Sequence, residues 1–296
     1  MAHIYDHRWN TYSRDGKLRA ITLDEHRNPN YESTPHYRVA KSEVDTKLAE
    51  KRWSREWLLG WRDIVGSEGR TLIPTVVPRY AINDKLLLVL PACPGKEVAA
   101  LYACLASMTC DYIAKQKVGG SSLKNYVMEQ LAVLPEVAFG EDALNFIVPR
   151  VLELTYTSHA MGAFAHDLGY DGPPFPWDEG RRALLRAELD AWYARAYGLT
   201  RDELRYILDP ADVMGPGYPS ETFRVLKNNE MKRYGEYRTR RLVLDAWDRM
   251  ERGELPAHEP YDQRRCAASS SDTSAAPAAS SNDSQGLLQF TAEPTS

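Results

Sequence analysis

Lys115, Lys117, Gly119, Gly120, Ser121, Ser122, Lys124 and Asn125 fall within one short stretch. Two adjacent glycines let a backbone come close to a phosphate, because no Cβ stands in the way. The lysines add charge, and the Ser and Asn side chains add neutral donors. A plainer explanation is a helix that ends in lysines facing its own dipole, followed by a glycine stop. Arg62 and Arg70 flank a turn between two apolar runs. A guanidinium can grip a guanine edge with two hydrogen bonds, or it can form a surface ion pair, here with Asp63 or Glu68. Between Lys227 and Arg241 lie Lys227, Lys232, Arg233, Arg238, Arg240 and Arg241, against Glu230 and Glu236, with Tyr234 and Tyr237 interleaved. Such a run suits phosphate contact and equally suits a solvated helix face.

Other chemistries have less behind them. Asn28-Pro29-Asn30-Tyr31 has part of the outline of the Asn-Pro-Pro-Tyr element that holds a target amine in amino-methyltransferases. The residues before it, Leu23-Asp24-Glu25-His26-Arg27, are too charged for the buried strand such an element needs. No Gly-rich turn follows an apolar strand upstream to cradle a nucleotide-like cofactor, so a polar loop is the simpler reading. His3 and His7, with Asp6 between them, would share a face only on a helix, and no third metal ligand is evident. His159 and His166 are spaced for one face of a helix. Gly-x-Ser-x-Gly, P-loop and paired CxxC patterns are absent.

The elements that must position these residues can be read from periodicity. Residues 57–90 hold short apolar runs separated by Gly, Asn, Asp and Pro, which predicts a sheet. Pro74 within the second run predicts an edge strand or a bulge. Val98, Leu101, Tyr102, Leu105, Met108, Tyr112 and Ile113 recur at three and four, predicting one amphipathic helix from about Gly95 to Lys117, ended by Gly119-Gly120. Leu131–Leu134, closed by Pro135, reads as a strand. Met1–Pro35 reads as loop and short strand, and Lys41–Lys51 as a helix. Pro149 is placed to open a helix toward Ala165. Asp178 precedes a helix with Leu184, Leu185, Leu189, Trp192 and Tyr193 on one face, and Gly198 stops it. Thr200 and Glu203 form a capping box, and Leu242–Met250 mark a last helix. The expected fold is an α/β unit over residues 1–140, with a short twisted sheet and a long amphipathic helix, then an α-helical unit over 145–253. The Ser/Ala/Thr/Pro-rich segment 265–296 is predicted to be a disordered tail.

The chain has 296 residues, 43% of them apolar, and a net charge of −4. Residues 267–296 carry Asp272, Asp283 and Glu293 and no Lys or Arg, leaving 37 basic against 38 acidic residues elsewhere. That balance excludes attachment to nucleic acid by global charge and leaves local patches. The longest clean apolar run, Leu86–Leu90, is far too short for a membrane span, and Met1–Arg14 lacks a signal-peptide core. Cys93, Cys104, Cys110 and Cys266 make no disulfide framework at this length, which predicts a reduced, cytoplasmic setting.

Taken in order, the motifs resemble a known family. Ile4-Tyr5-Asp6-His7-Arg8 resembles the "FDHR" element beyond the catalytic domain of class I, N6-adenine-specific DNA methyltransferases of type II, single-chain restriction–modification systems and related phage-defence systems. Pro35-His36-Tyr37-Arg38-Val39, Trp61-Arg62-Asp63-Ile64 and Glu68-Gly69-Arg70-Thr71-Leu72-Ile73 continue the likeness. The helix before Gly119-Gly120, Gln130–Pro135, Pro174–Arg182, Ala187–Ala191 and Tyr197–Leu208 extend it to about residue 250. A looser likeness holds to the target-recognition unit of type I specificity subunits.

The resemblance implies a double-stranded DNA target-recognition region. Arg62, Arg70 and Asn125 would be its base-edge contacts, and the 115–125 cluster its phosphate register. The family's catalytic half, with its cofactor motif, is absent, so no methyl-transfer role passes to any residue here. The resemblance places S-adenosylmethionine on a methyltransferase domain or subunit outside this chain, which would also extrude the adenine. An alternative is a truncated or non-catalytic interaction protein that pairs with such a subunit. A free-standing enzyme is the reading with least support, because no nucleophile or cofactor constellation is visible.

Overall fold

A computed structural model describes residues 2–66, 69–219 and 222–255. Glu68 and the predicted tail lie outside the described residues, which belong to one contact unit, Met1–Glu259. The chain opens with an antiparallel hairpin, β1 (Asn10–Tyr12) and β2 (Leu18–Ala20), then a short helix, α1 (Leu23–Arg27). That helix corrects the expectation of loop and strand throughout 1–35. Thr22 and Glu25 form a reciprocal capping box, a Thr-x-x-Glu signature that the charged composition obscured. Helix α2 (Lys41–Glu50) stands where the spacing predicts it.

Strands β3 (Trp57–Arg62), β4 (Pro74–Pro78) and β5 (Leu86–Val89) form one antiparallel sheet in the order β4-β3-β5. The central strand is buried on both faces from Trp57 to Trp61, which is why it reads as a continuous apolar run rather than an alternating one. Pro74 and Pro78 sit at the two ends of β4, an edge strand, where a missing donor costs no interior ladder bond.

The predicted long helix is two: α3 (Gly95–Ala106) and α4 (Met108–Lys117). Ser107 is extended at the break. Its hydroxyl donates to the Cys104 carbonyl (2.7 Å) and accepts from Cys110 N (3.2 Å), so it caps α4 instead of continuing α3. After α5 (Asn125–Met128), the predicted strand 131–134 is irregular. Val133 N turns inward to the Leu131 carbonyl, and Pro135 has no donor to extend a ladder.

Helix α6 (Glu141–Thr155) contains Pro149 rather than starting at it. Gly140 precedes it, Glu141 and Asp142 occupy the first turn, and its buried face holds it through the proline. Thr155 ends it, so His159 lies on a 3-10 turn and His166 on α7 (Gly162–Asp167), not on one continuous helix. The remaining helices are α8 (Glu179–Ala196), α9 (Arg201–Leu208), α10 (Pro210–Met214), α11 (Arg224–Tyr234) and α12 (Arg238–Glu251). Asp178 caps α8, and the Thr200/Glu203 box caps α9 as predicted. The result is a small α/β part followed by helices.

The main core runs from Ile4 through β3, α3 and α6 to Tyr193, drawing on residues either side of 140–145. A second cluster joins α8, α9 and α12 around Ala191 and Trp247. The third, with Trp61, Leu72, Cys110, Leu123 and Val127, lies beneath the turn after α4. None of the described helices is long and apolar enough to cross a membrane.

Candidate nucleic-acid interface

The stretch after α4 is clamped from inside and open outside. Val65 N donates to the Ser121 carbonyl (2.9 Å) and Leu123 N to the Asp63 carbonyl (2.7 Å), while the Trp61 indole donates to the Leu123 carbonyl (2.8 Å). Leu123 is fully buried and anchors the segment in the third cluster. Gly119, Gly120, Ser121, Lys124, Asn125 and Tyr126 are exposed, the last at 65%. Neither Gly119 nor Gly120 has a positive φ, and a Cβ added at either would touch nothing within 4 Å. Neither turn geometry nor packing within the described residues therefore requires glycine there.

The cations of this stretch are not equivalent. Lys115 donates to the Thr222 carbonyl (3.0 Å), and Lys124 pairs with buried Asp63 (2.7 Å), which Lys85 also approaches. Lys117, exposed in the last turn of α4, has no partner among the described residues, and neither do the Asn125 and Ser121 side chains. Ser122 bridges to Ile64.

Arg62 and Arg70 divide in the same way. Arg70 is pinned: it forms an ion pair with Asp111 and donates to the Ala106 carbonyl (2.6 Å) and the Ser107 carbonyl (3.3 Å). Asp111 in turn accepts from Thr71 N (2.8 Å) and Leu72 N (2.6 Å). Arg70 thus ties the segment before β4 to the α3–α4 break. Arg62, half-buried at the end of β3, has no partner among the described residues, and burial pulls its pKa down. His3 stacks on Trp9 (centroids 4.4 Å apart). Burial, then the charges of Arg186, Arg70 and Arg62, push the His3 pKa down to about 3, so it is neutral at pH 7.

The basic run 227–241 is largely spent internally. Lys227 pairs with Asp209 (2.5 Å), Arg233 with Glu179 (2.8 Å), Arg240 with Asp212 (2.8 Å) and Arg241 with Glu236 (2.8 Å). The Asn28-Pro29-Asn30-Tyr31 loop is structural. The Asn28 side chain accepts from Asn30 N (3.0 Å), the Pro29 carbonyl from His159 N (3.0 Å), and the Asn28 and Tyr31 carbonyls from Arg8. His7 faces Glu32 (3.5 Å), and no group of three metal-ligating side chains occurs among the described residues. Both described sheets are antiparallel, without the parallel strand–turn–helix unit that would cradle S-adenosylmethionine.

Sequence reasoning did not single out His3 as part of a cationic cluster, nor Arg186, nor Asp190. The Arg186 and Asp190 spacing on α8 signals only a shared helix face. Asp190 accepts from Met108 N (2.8 Å), yet burial raises its pKa to about 6, against the pull of Arg70 and Arg186. With the folded value above the ordinary 3.8, the ionised carboxylate costs stability at neutral pH, and that cost is relieved as pH falls from about 6 toward 3.8. Asp190→Asn is therefore expected to stabilise the protein by about 1–3 kcal/mol at pH 7 and to make no difference below about pH 4. Urea unfolding at the two pH values checks this. A variant less stable than wild type at pH 7 would mean that the charge is worth more to Arg186 than its burial costs.

No family model, curated protein or solved structure matches this chain.

Proposed function

We propose that this chain binds double-stranded DNA through the face around Gly119-Gly120, as the target-recognition part of an N6-adenine DNA methyltransferase or restriction–modification enzyme whose methyltransferase half lies outside this chain. One observation carries the DNA-binding reading: a glycine pair that the fold does not need, followed by Ser121 and Leu123 tied to the end of β3 and flanked by the unpaired side chains of Lys117, Ser121 and Asn125. An external phosphate approaching the backbone accounts for all of these features. Exposed Tyr126 adds a flat apolar surface beside it. The methyltransferase part of the reading rests on the ordered motifs from Ile4 to Leu208. Arg62 is the base-reading candidate with a free guanidinium, whereas Arg70 is committed to Asp111. S-adenosylmethionine would be held by the other half.

The test is fluorescence anisotropy with a duplex of about 25 base pairs across a salt series. The affinity should fall steeply with salt, and Lys117→Ala should weaken binding on every sequence and reduce the log–log slope by about 1. Arg62→Ala should instead relax the choice at one base pair. Salt-independent binding, or none, overturns the reading. A second reading, pairing with a methyltransferase subunit without DNA contact, is favoured by Tyr37 (82% exposed) and Val137 (88% exposed). Co-purification of the two chains with no DNA affinity in either state would select it.

A further inference from the structure

A cavity of about 150 Å³ lies between the start of α4 and helices α8, α11 and α12. Its lining includes Arg70, Arg186, Asp190, Glu230, Tyr234 and Arg238. The carboxylates that line it are engaged elsewhere, Glu179 with Arg233 (2.8 Å). Asp190 accepts from Met108 N (2.8 Å), and both Glu230 oxygens accept, from Thr239 N (2.7 Å) and the Thr239 hydroxyl (2.6 Å). Arg70 is spent on Asp111. Arg186 and Arg238 are different. Neither guanidinium has a hydrogen bond or an ion pair among the described residues, and Arg238 only lies over the Tyr234 ring (5.1 Å). Burial and then the nearby Arg70 charge pull the Arg186 pKa down, against the opposing pull of Asp190, Tyr5 and Glu230. Two donor-rich forks without a hydrogen-bonding partner face one small cavity, and Asp190 and Glu230 balance the Arg186 charge only from a distance. A group that pairs with both forks must be small and must consist almost entirely of acceptors. A tetrahedral phosphate meets that need, since each fork can take two of its oxygens.

We propose that this cavity is a phosphate-binding site, with Arg186 and Arg238 as its two ligating side chains. It is separate from the Gly119-Gly120 face and does not depend on that face binding DNA. The phosphate could be carried by a nucleic-acid backbone or by a free phosphorylated compound, and the chemistry of recognition is the same.

Calorimetric titration of the full chain with inorganic phosphate and with pyrophosphate tests the site. Binding is expected in the wild type, with Kd raised at least tenfold in Arg186→Gln and in Arg238→Gln. Absence of binding in the wild type, or wild-type affinity in both variants, overturns the site. Should Arg186→Gln fail to fold, Arg238→Gln decides, because Arg238 stands at the first position of α12 with no hydrogen bond or ion pair to lose. The salt dependence of duplex binding then identifies the source. A slope lowered by about 1 in Arg186→Gln assigns the site to a backbone phosphate. An unchanged slope, with phosphate binding lost, assigns it to a free phosphorylated compound. Phosphate binding by a chain that does not bind DNA would refute the DNA reading and leave the site standing.

Discussion

Replacing Arg8 by Met is expected to cost about 4 kcal/mol or more of stability, beyond the range of most single substitutions. Arg8 is 0% exposed and makes no contact of the kind expected from a DNA-binding arginine. Its Nη1 donates to the Asn28 carbonyl (2.9 Å) and the Tyr31 carbonyl (3.2 Å). Its Nη2 donates to the His26 carbonyl (3.0 Å), the Thr157 carbonyl (3.1 Å) and the Thr157 hydroxyl (3.2 Å). One planar fork therefore joins the N-terminal segment, the loop after α1 and the turn after α6. Met fills similar space but leaves four backbone acceptors without this donor, each worth about 1–3 kcal/mol if it stays buried and unpaired. Arg8→Lys should recover little, because an ammonium is a compact point charge and cannot span both pairs of carbonyls. Urea unfolding measures the loss from the midpoint at unchanged slope. A loss under about 1 kcal/mol would mean that water replaces the guanidinium, and Arg8 would not be the pin described here.

The second large effect is expected at Asp111. Asp111→Ala removes the acceptor of Thr71 N and Leu72 N and strands Arg70, only 12% exposed as a side chain. Breaking such a pair from one side typically costs about 3–5 kcal/mol, mostly the penalty of the charge left behind. Arg70→Met/Asp111→Ala should be less damaging than the sum of the two single changes, because the stranded charge is then gone. That cycle also separates two roles for Arg70. A guanidinium that reads a base would change sequence choice with little effect on stability. The geometry predicts the reverse, a large coupling to Asp111 and any loss of DNA binding following loss of fold. Strict additivity of the two substitutions would refute the structural role.

These arginines alter what the DHR-like element and the "RTLI"-like segment mean in this chain. In this chain Arg8 and Arg70 serve the fold. The proposed ligand contacts fall instead on Arg62, Lys117 and Asn125 and, in the cavity, on Arg186 and Arg238. The polar side-chain groups of this second set have no hydrogen-bond or ion-pair partner among the described residues.

What the sequence alone determined was local. The apolar run Trp57–Trp61 as a strand, the edge proline Pro74 of β4, the Thr200/Glu203 box and the Asp178 cap were all legible, because capping and periodicity act within a few residues. The break at Ser107 and the continuation of α6 through Pro149 were not legible. In each, a short-range preference was decided by a competing side-chain cap or a buried face. The candidate site was legible as a list of residues and not as a division of labour. Arg62 and Arg70 look alike in the sequence, as do Lys117 and Lys227. Only the tertiary structure brings Asp111 to Arg70 and Asp209 to Lys227, and places Arg186 and Arg238 in the lining of one cavity. Whether a cation is available to a ligand depends on whether a carboxylate from a distant segment has already neutralised it, and a local pattern carries no record of that partner.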